Sequence, residues 1–248
     1  AERSGARIEP MRTVVDLEPL GPNGDEGWRI TTEATGAWVR KNRRTVTAQH
    51  VVMAAGTWGT QSLLHSLQAD GKLPRLSRTL GHLTRTNSEE LGGAAATQLP
   101  EAVDLTHGVA ITSSFHVDET THVENVRYGR GSNAMGLFST LLIPGDVGNR
   151  VVEFVKQFAR RPVMLTKAVV PKGWSERTII ALVMQTVDNS LIVSPKKTRR
   201  GWKLTSRQGH GEPNPTWIPG GHKAIRGMAD RLERVSGKEA IAGGTWNE

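Results

Sequence analysis

Residues 51–60 read VVMAAGTWGT, an apolar run that stops on Gly56 and passes directly into the polar start of a TQSLLHSL segment. This junction constrains the fold more than any other stretch. VVMAA is too short and too apolar for a surface strand and suits a parallel strand buried on both faces. The segment after it sets Leu63, Leu64 and Leu67 on one side of a helix, with a stop near Gly71 and Pro74. A glycine at the strand end has two readings. One is plain packing, since many strand-to-helix connections carry such a glycine. In the other, the missing side chain lets a ligand approach the backbone while the helix start offers free N–H groups to a phosphate.

The 248 residues suffice for one large domain or two smaller ones. Apolar residues make up 37%, and 27 Gly with 12 Pro point to long loops. Lys and Arg number 32 against 24 Asp and Glu, a net charge of +8 that suits nucleic acid, an anionic membrane or an anionic ligand. The densest basic clusters, Arg40–Lys41–Arg43–Arg44 and Lys196–Lys197–Arg199–Arg200, read as hairpin tips. Neither has the interleaved aromatics of single-strand binders, so nucleic acid is set aside; peripheral contact with an anionic membrane stays open. The absence of cysteine excludes disulfides and thiolate chemistry. No apolar stretch approaches the roughly 20 residues that span a bilayer, and no signal-peptide pattern opens the chain. It begins at Ala1 rather than Met and stops at TWNE, which raises the expectation of an internal segment of a longer protein.

Around the junction, residues 6–50 read as a small antiparallel β unit. Apolar positions fall at Ile8, Met11, Val14, Val15 and Leu17, a turn at GPNGDEG, alternation through WRITTE, and a second turn at Lys41–Arg44. From 77 to 96 no period is sustained, as expected of an irregular functional loop. GVAITSSF, THVENVRYG, MGLFSTLLI, TIIALVMQTV, SLIVSP and GWKLTS read as strands, Val151–Ala159 as a helix, and HKAIRGMADRLERVSG as an amphipathic helix aligning Ile225, Met228, Ala229, Leu232 and Val235. The expected class is mixed α+β and α/β: one buried strand of nucleotide-fold type, then a mostly antiparallel sheet with helices.

HVENV is the second candidate for chemistry. With period two, His122, Glu124 and Val126 share one strand face, opposite Val123 and Asn125. A glutamate projecting into an apolar face has a raised pKa and can act as a general base near neutral pH; the bland alternative is an exposed carboxylate paired with Arg127 or another base. His116, His122 and Glu124 match no standard metal spacing, so no metal is expected. In TRTNSE, Asn87 can hold a polar group of a ligand, or Asn87 or Ser88 can cap a helix. The seven tryptophans, at 28, 38, 58, 174, 202, 217 and 246, read mostly as packing.

The order of these segments resembles the glucose-methanol-choline (GMC) oxidoreductases and, within them, the cholesterol oxidases of actinobacterial type. The likeness rests on VVMAAGTWGTQSLLHSLQADGKLPRLSRTLG, then LTRTNSE, SSFHVDETTHVENVRYGRGSNAMG, MQTVDNSL and QGHGEPNPTWIP. It implies a flavoenzyme that oxidises the 3β-hydroxyl of a sterol with FAD, in some members also moving the ring double bond. By position in the motif, Glu124 resembles the proton-shuttling glutamate of that isomerisation. Ala55 and Gly56 match the turn near the FAD, Val14 or Val15 the strand beside its adenine half, and Asn87 an asparagine near the flavin. The substrate side is expected to offer a large apolar cavity under the sheet, lined by Phe115, Val126, Met135 and Leu137, with His122 beside Glu124.

Residues 1–76 then correspond to part of an FAD-binding, Rossmann-like domain and 77–248 to a steroid-binding domain. The family's G-x-G-x-x-G fingerprint does not occur, nor does a His-Pro with an Asn-Pro following it. The chain alone is therefore expected to hold FAD poorly and to be inactive. A GMC enzyme for a non-sterol alcohol and, from another class, a non-catalytic basic binding module are the alternatives.

Overall fold

The computed structural model describes residues 2–170, 172–199 and 201–245, and these form two compact units. The first comprises Ala1–Thr84 and Ser190–His210, the second Arg85–Asn189 and Gly211–Glu248. The break at 84/85 lies beyond the expected boundary at 76, and a later segment returns to the first unit.

The first unit opens with three antiparallel strands, β1 (Arg12–Pro19), β2 (Trp28–Ala34) and β3 (Arg44–Ala48), in that spatial order. The register of β1 on β2 shifts between Val14 and Asp16, leaving Val15 as the extra residue of a bulge. Helix α1 (Gly56–Ala69) lays Leu67, Leu63 and Leu64 on Leu17, Ile30 and Leu73, as its spacing predicts. VVMAA corrects the sequence reading. It is a segment without strand pairing, and Val52 is 86% exposed. A parallel strand needs hydrogen-bonded neighbours; among the described residues β1, β2 and β3 pair only with one another.

The second unit is built on a six-stranded sheet. Its elements are β4 (Glu90–Ala96), β5 (Ile111–His116), β6 (Thr121–Val126), β7 (Ser139–Leu141), the helices α2 (Arg150–Arg160) and α3 (Pro162–Val169), and β8 (Thr178–Gln185). The two-stranded ribbon β9 (Asn189–Thr198) and β10 (Gly201–Gly211), which belongs mostly to the first unit, comes next in the chain, its tip carrying Lys196, Lys197 and Arg199 as expected, while Arg200 lies outside the described residues. Helix α4 (Pro219–Ser236) and strand β11 (Ala240–Thr245) complete the sheet, whose order is β5-β6-β8-β4-β11-β7. Every pairing of described register is antiparallel, so the class is α+β.

Two stretches depart from their sequence pattern. ELGGAAA, read as part of an irregular loop, is the inner strand β4, with Ala94 and Ala96 fully buried. Its small side chains hide the usual alternation and admit α4 closely: a Cβ on Gly92 would lie 2.3 Å from Ile225 Cδ1. MGLFSTLLI divides into a 3₁₀ turn, Ala134–Phe138, and the short β7. Helix α4 buries Ile225, Ala229 and Leu232 against Val123, Ala181, Val183, Ala94 and Ala96, whereas Val235 is 48% exposed. Trp38 and Trp58 are exposed rather than packed, and Trp246 lies outside the described residues.

Candidate functional site

Cross-strand partners share a face, so the register fixes which side chains stand together. Glu124 pairs with Leu182, which pairs with Leu91; Val126 pairs with Ile180, which pairs with Gly93; and Gly93 continues to Gly243 and Leu141. This face lies opposite the one covered by α4, where Val123 is fully buried. On it lies an apolar cavity lined by Leu91, Met135, Phe138, Leu165, Trp174 and Ile180 among others, with Gly93 and Gly243 lowering the floor. Its volume is about 100 Å³. That is less than the large cavity expected from the sequence and below the roughly 300 Å³ of a typical small-ligand site.

Glu124 stands on this face with its side chain 30% exposed, two strand spacings, about 10 Å, across from Leu91. It is not itself in the cavity wall. Its neighbour is His122, with Nε2 3.8 Å from Glu124 Oε1, and the His122 ring is 5.6 Å from that of His116. The alternative pairing with Arg127 is absent: that guanidinium donates to the carbonyl of His107 at 2.5 Å and to Thr112 Oγ1 at 3.4 Å. Among the described residues no group of three or more His, Cys, Asp or Glu could hold a metal ion.

Met135 lines the cavity, held there by the 3₁₀ turn. Asn133 Oδ1 accepts from Ser175 N at 2.9 Å and Ser175 Oγ at 3.1 Å, tying that turn to the segment bearing Trp174. Beside it, burial raises the Glu176 carboxyl, but bonds from Ser175 and Gly131 and the charge of Arg130 hold it below its ordinary value. Phe115 corrects the expectation. It pairs with Val123 and lies on the α4 face, 46% exposed. Val126 shares the cavity face without lining the cavity, and Leu137 is 65% exposed outside it.

Asn87 starts no helix; the chain enters β4 instead. Its carbonyl accepts from Gln185 N at 3.0 Å and its amide donates to Glu89 at 2.7 Å. The pair the sequence did not reveal lies just beyond. Glu90 Oε1 is 2.6 Å from His222 Nε2, close but off the line of a good hydrogen bond; the side chains are 5% and 1% exposed, and Glu90 Oε2 accepts from Ile218 N. Glu90 follows a polar loop and His222 opens an amphipathic helix, so only a buried position for both could have signalled them.

Val14, Val15, Ala55 and Gly56 belong to the first unit, the other candidates to the second. Val14 is 42% exposed and Val15 partly buried. Gly56 has φ +67°, in the left-handed region, and a Cβ there would meet nothing within 4 Å. Ala55 caps α1 without a side-chain hydrogen bond, so no side chain shields the first-turn N–H groups. The backbone at Gly56 is therefore open, with no atom crowding it.

Two cholesterol oxidases of Mycobacterium tuberculosis, strains CDC 1551 / Oshkosh and ATCC 25618 / H37Rv, are each 48% identical over 255 aligned positions, covering 100% of this chain and 42% of theirs. This chain is a relative of the cholesterol oxidases. A cholesterol oxidase of Acinetobacter baumannii is 35% identical over 227 positions, 88% of this chain and 40% of its own. The chain thus spans less than half the length of these relatives. No family model matches it. No helix among the described residues is long and apolar enough to cross a membrane.

Proposed function

We propose that this chain forms the greater part of the sterol-facing region, and part of the cofactor region, of an FAD-dependent GMC oxidoreductase. The enzyme oxidises the 3β-hydroxyl of cholesterol or a related sterol to a ketone. The observation that carries this reading is Glu124 on the same sheet face as the apolar cavity, in a chain 48% identical to cholesterol oxidases.

In this reading the first unit holds FAD through the backbone at Ala55 and Gly56 and beside Val14 and Val15. Bound FAD supplies the hydride acceptor. The second unit holds the sterol. One apolar end lies over the glycine floor, enclosed by Met135 and Trp174, and His122, Val126 and Asn87 serve the rest. Glu124 takes a proton from the carbon between the new ketone and the ring double bond and returns it to the far end of that double bond, giving the conjugated ketone. No atoms are gained or lost. A carboxylate suits this role because it moves the proton without entering the product. Peripheral contact with an anionic membrane would bring the protein to its substrate.

Titrating the protein with a 3β-hydroxysterol while following tryptophan emission tests the placement. A saturable change that Trp174→Phe removes is expected; no change at any sterol concentration would contradict it.

A further inference from the structure

A second pocket, of about 370 Å³, lies on the second unit where α2 gives way to α3, beside α4, β7 and β11. Leu142, 4% exposed, and Ala242 supply its apolar side. Its other side consists of arginines: Arg160 and Arg161 at the α2–α3 junction and Arg226 on α4, all exposed. The lining contains no Asp or Glu. Among the described residues none of the three arginines forms an ion pair. Gln157, the remaining polar member, donates to Glu153 at 3.1 Å.

Three like charges around one hollow repel one another, and no Asp or Glu in its lining offsets them. Such a hollow concentrates anions. The chemistry of the anion follows from the donors. Each guanidinium is a planar fork matched to two oxygens. A carboxylate has only two oxygens and fully satisfies one fork. A tetrahedral oxyanion has three or four and can meet several forks from different sides.

We propose that this pocket binds a tetrahedral oxyanion, phosphate or sulfate, either free or as the headgroup ester of an amphiphile whose apolar part lies on Leu142 and Ala242. The pocket adjoins the apolar cavity, sharing Leu141, Leu165 and Ile241 with it, but its arginines do not line that cavity, and the proposal does not depend on the sterol reading.

Calorimetric titration of the protein with potassium phosphate and with potassium acetate, in dilute chloride buffer, tests the proposal. Phosphate binds at least about tenfold more tightly than acetate. Arg226→Gln and Arg160→Gln each weaken phosphate about tenfold or more, as expected for loss of charged hydrogen bonds. Arg226→Lys has a smaller effect, and Arg231→Gln, on the same helix away from the pocket, has none. Circular dichroism confirms the fold of each variant. Phosphate binding no tighter than acetate, or indifferent to both glutamine variants, overturns the proposal. Sedimentation with phosphatidylcholine vesicles, with and without phosphatidate, separates the two sources. Retention on phosphatidate that Arg226→Gln abolishes supports the headgroup, and phosphate binding without retention supports the free ion.

Discussion

Val123 and Glu124 are adjacent in β6 and face opposite sides of the sheet: Val123 is fully buried under α4, and Glu124 stands half-buried on the side of the apolar cavity. One strand thus carries a fully buried apolar side chain and a half-buried carboxylate on opposite faces. Val123→Ala is expected to lower stability by about 1–3 kcal/mol through the cavity it leaves. Glu124→Gln should change it by no more than about 0.5 kcal/mol. Urea titrations of the two variants check the contrast.

Gly93 lies on the cavity floor and also between two strands. A Cβ there would sit 2.4 Å from the backbone oxygen of Ile179, which cannot rotate aside. Gly93→Ala should therefore cost about 1–3 kcal/mol through overpacking, read as a lower midpoint in thermal unfolding.

In the first unit, hydrogen bonds from Arg43 and Lys41 hold the buried Glu33 carboxyl below its ordinary value of 4.5. A depressed folded-state pKa contributes stability above the unfolded value and loses it as pH falls through the folded one. Melting temperature should thus fall from about pH 5 downward, and fall less steeply in Glu33→Gln.

The Glu90–His222 contact joins the start of β4 to the first turn of α4. Removing His222 leaves Glu90 Oε1 buried without its neighbour, while Oε2 keeps the bond from Ile218 N. His222→Ala should therefore cost about 1–3 kcal/mol, measured by chemical denaturation.

The sequence showed elements wherever the hydrophobic period was clear. Leu63, Leu64 and Leu67 marked α1, and Ile225, Ala229 and Leu232 marked α4. Period two correctly set Glu124 opposite Val123. It did not show β4, because Gly92, Gly93 and the alanines carry too little apolar surface to produce a pattern. VVMAA has the composition of an inner strand but pairs with no described strand, and local composition does not carry pairing. Phe115 was misplaced because the β5–β6 register shifts between Ile111 and Ser114, an irregularity set by cross-strand bonding. The glycine floor was hidden for a related reason: glycine marks absent surface, and only the facing strands show what that space adjoins.

The central claim is that Glu124 moves the proton in a sterol site. The most direct test places residues 1–248 in the homologous segment of a Mycobacterium tuberculosis cholesterol oxidase, supplies cholesterol, and separates the unconjugated from the conjugated ketone by chromatography. With Glu124→Gln, isomerisation should fall about 100-fold or more, and the unconjugated ketone should accumulate while hydroxyl oxidation stays within about tenfold. Conjugated ketone formed at the unsubstituted rate would contradict the account.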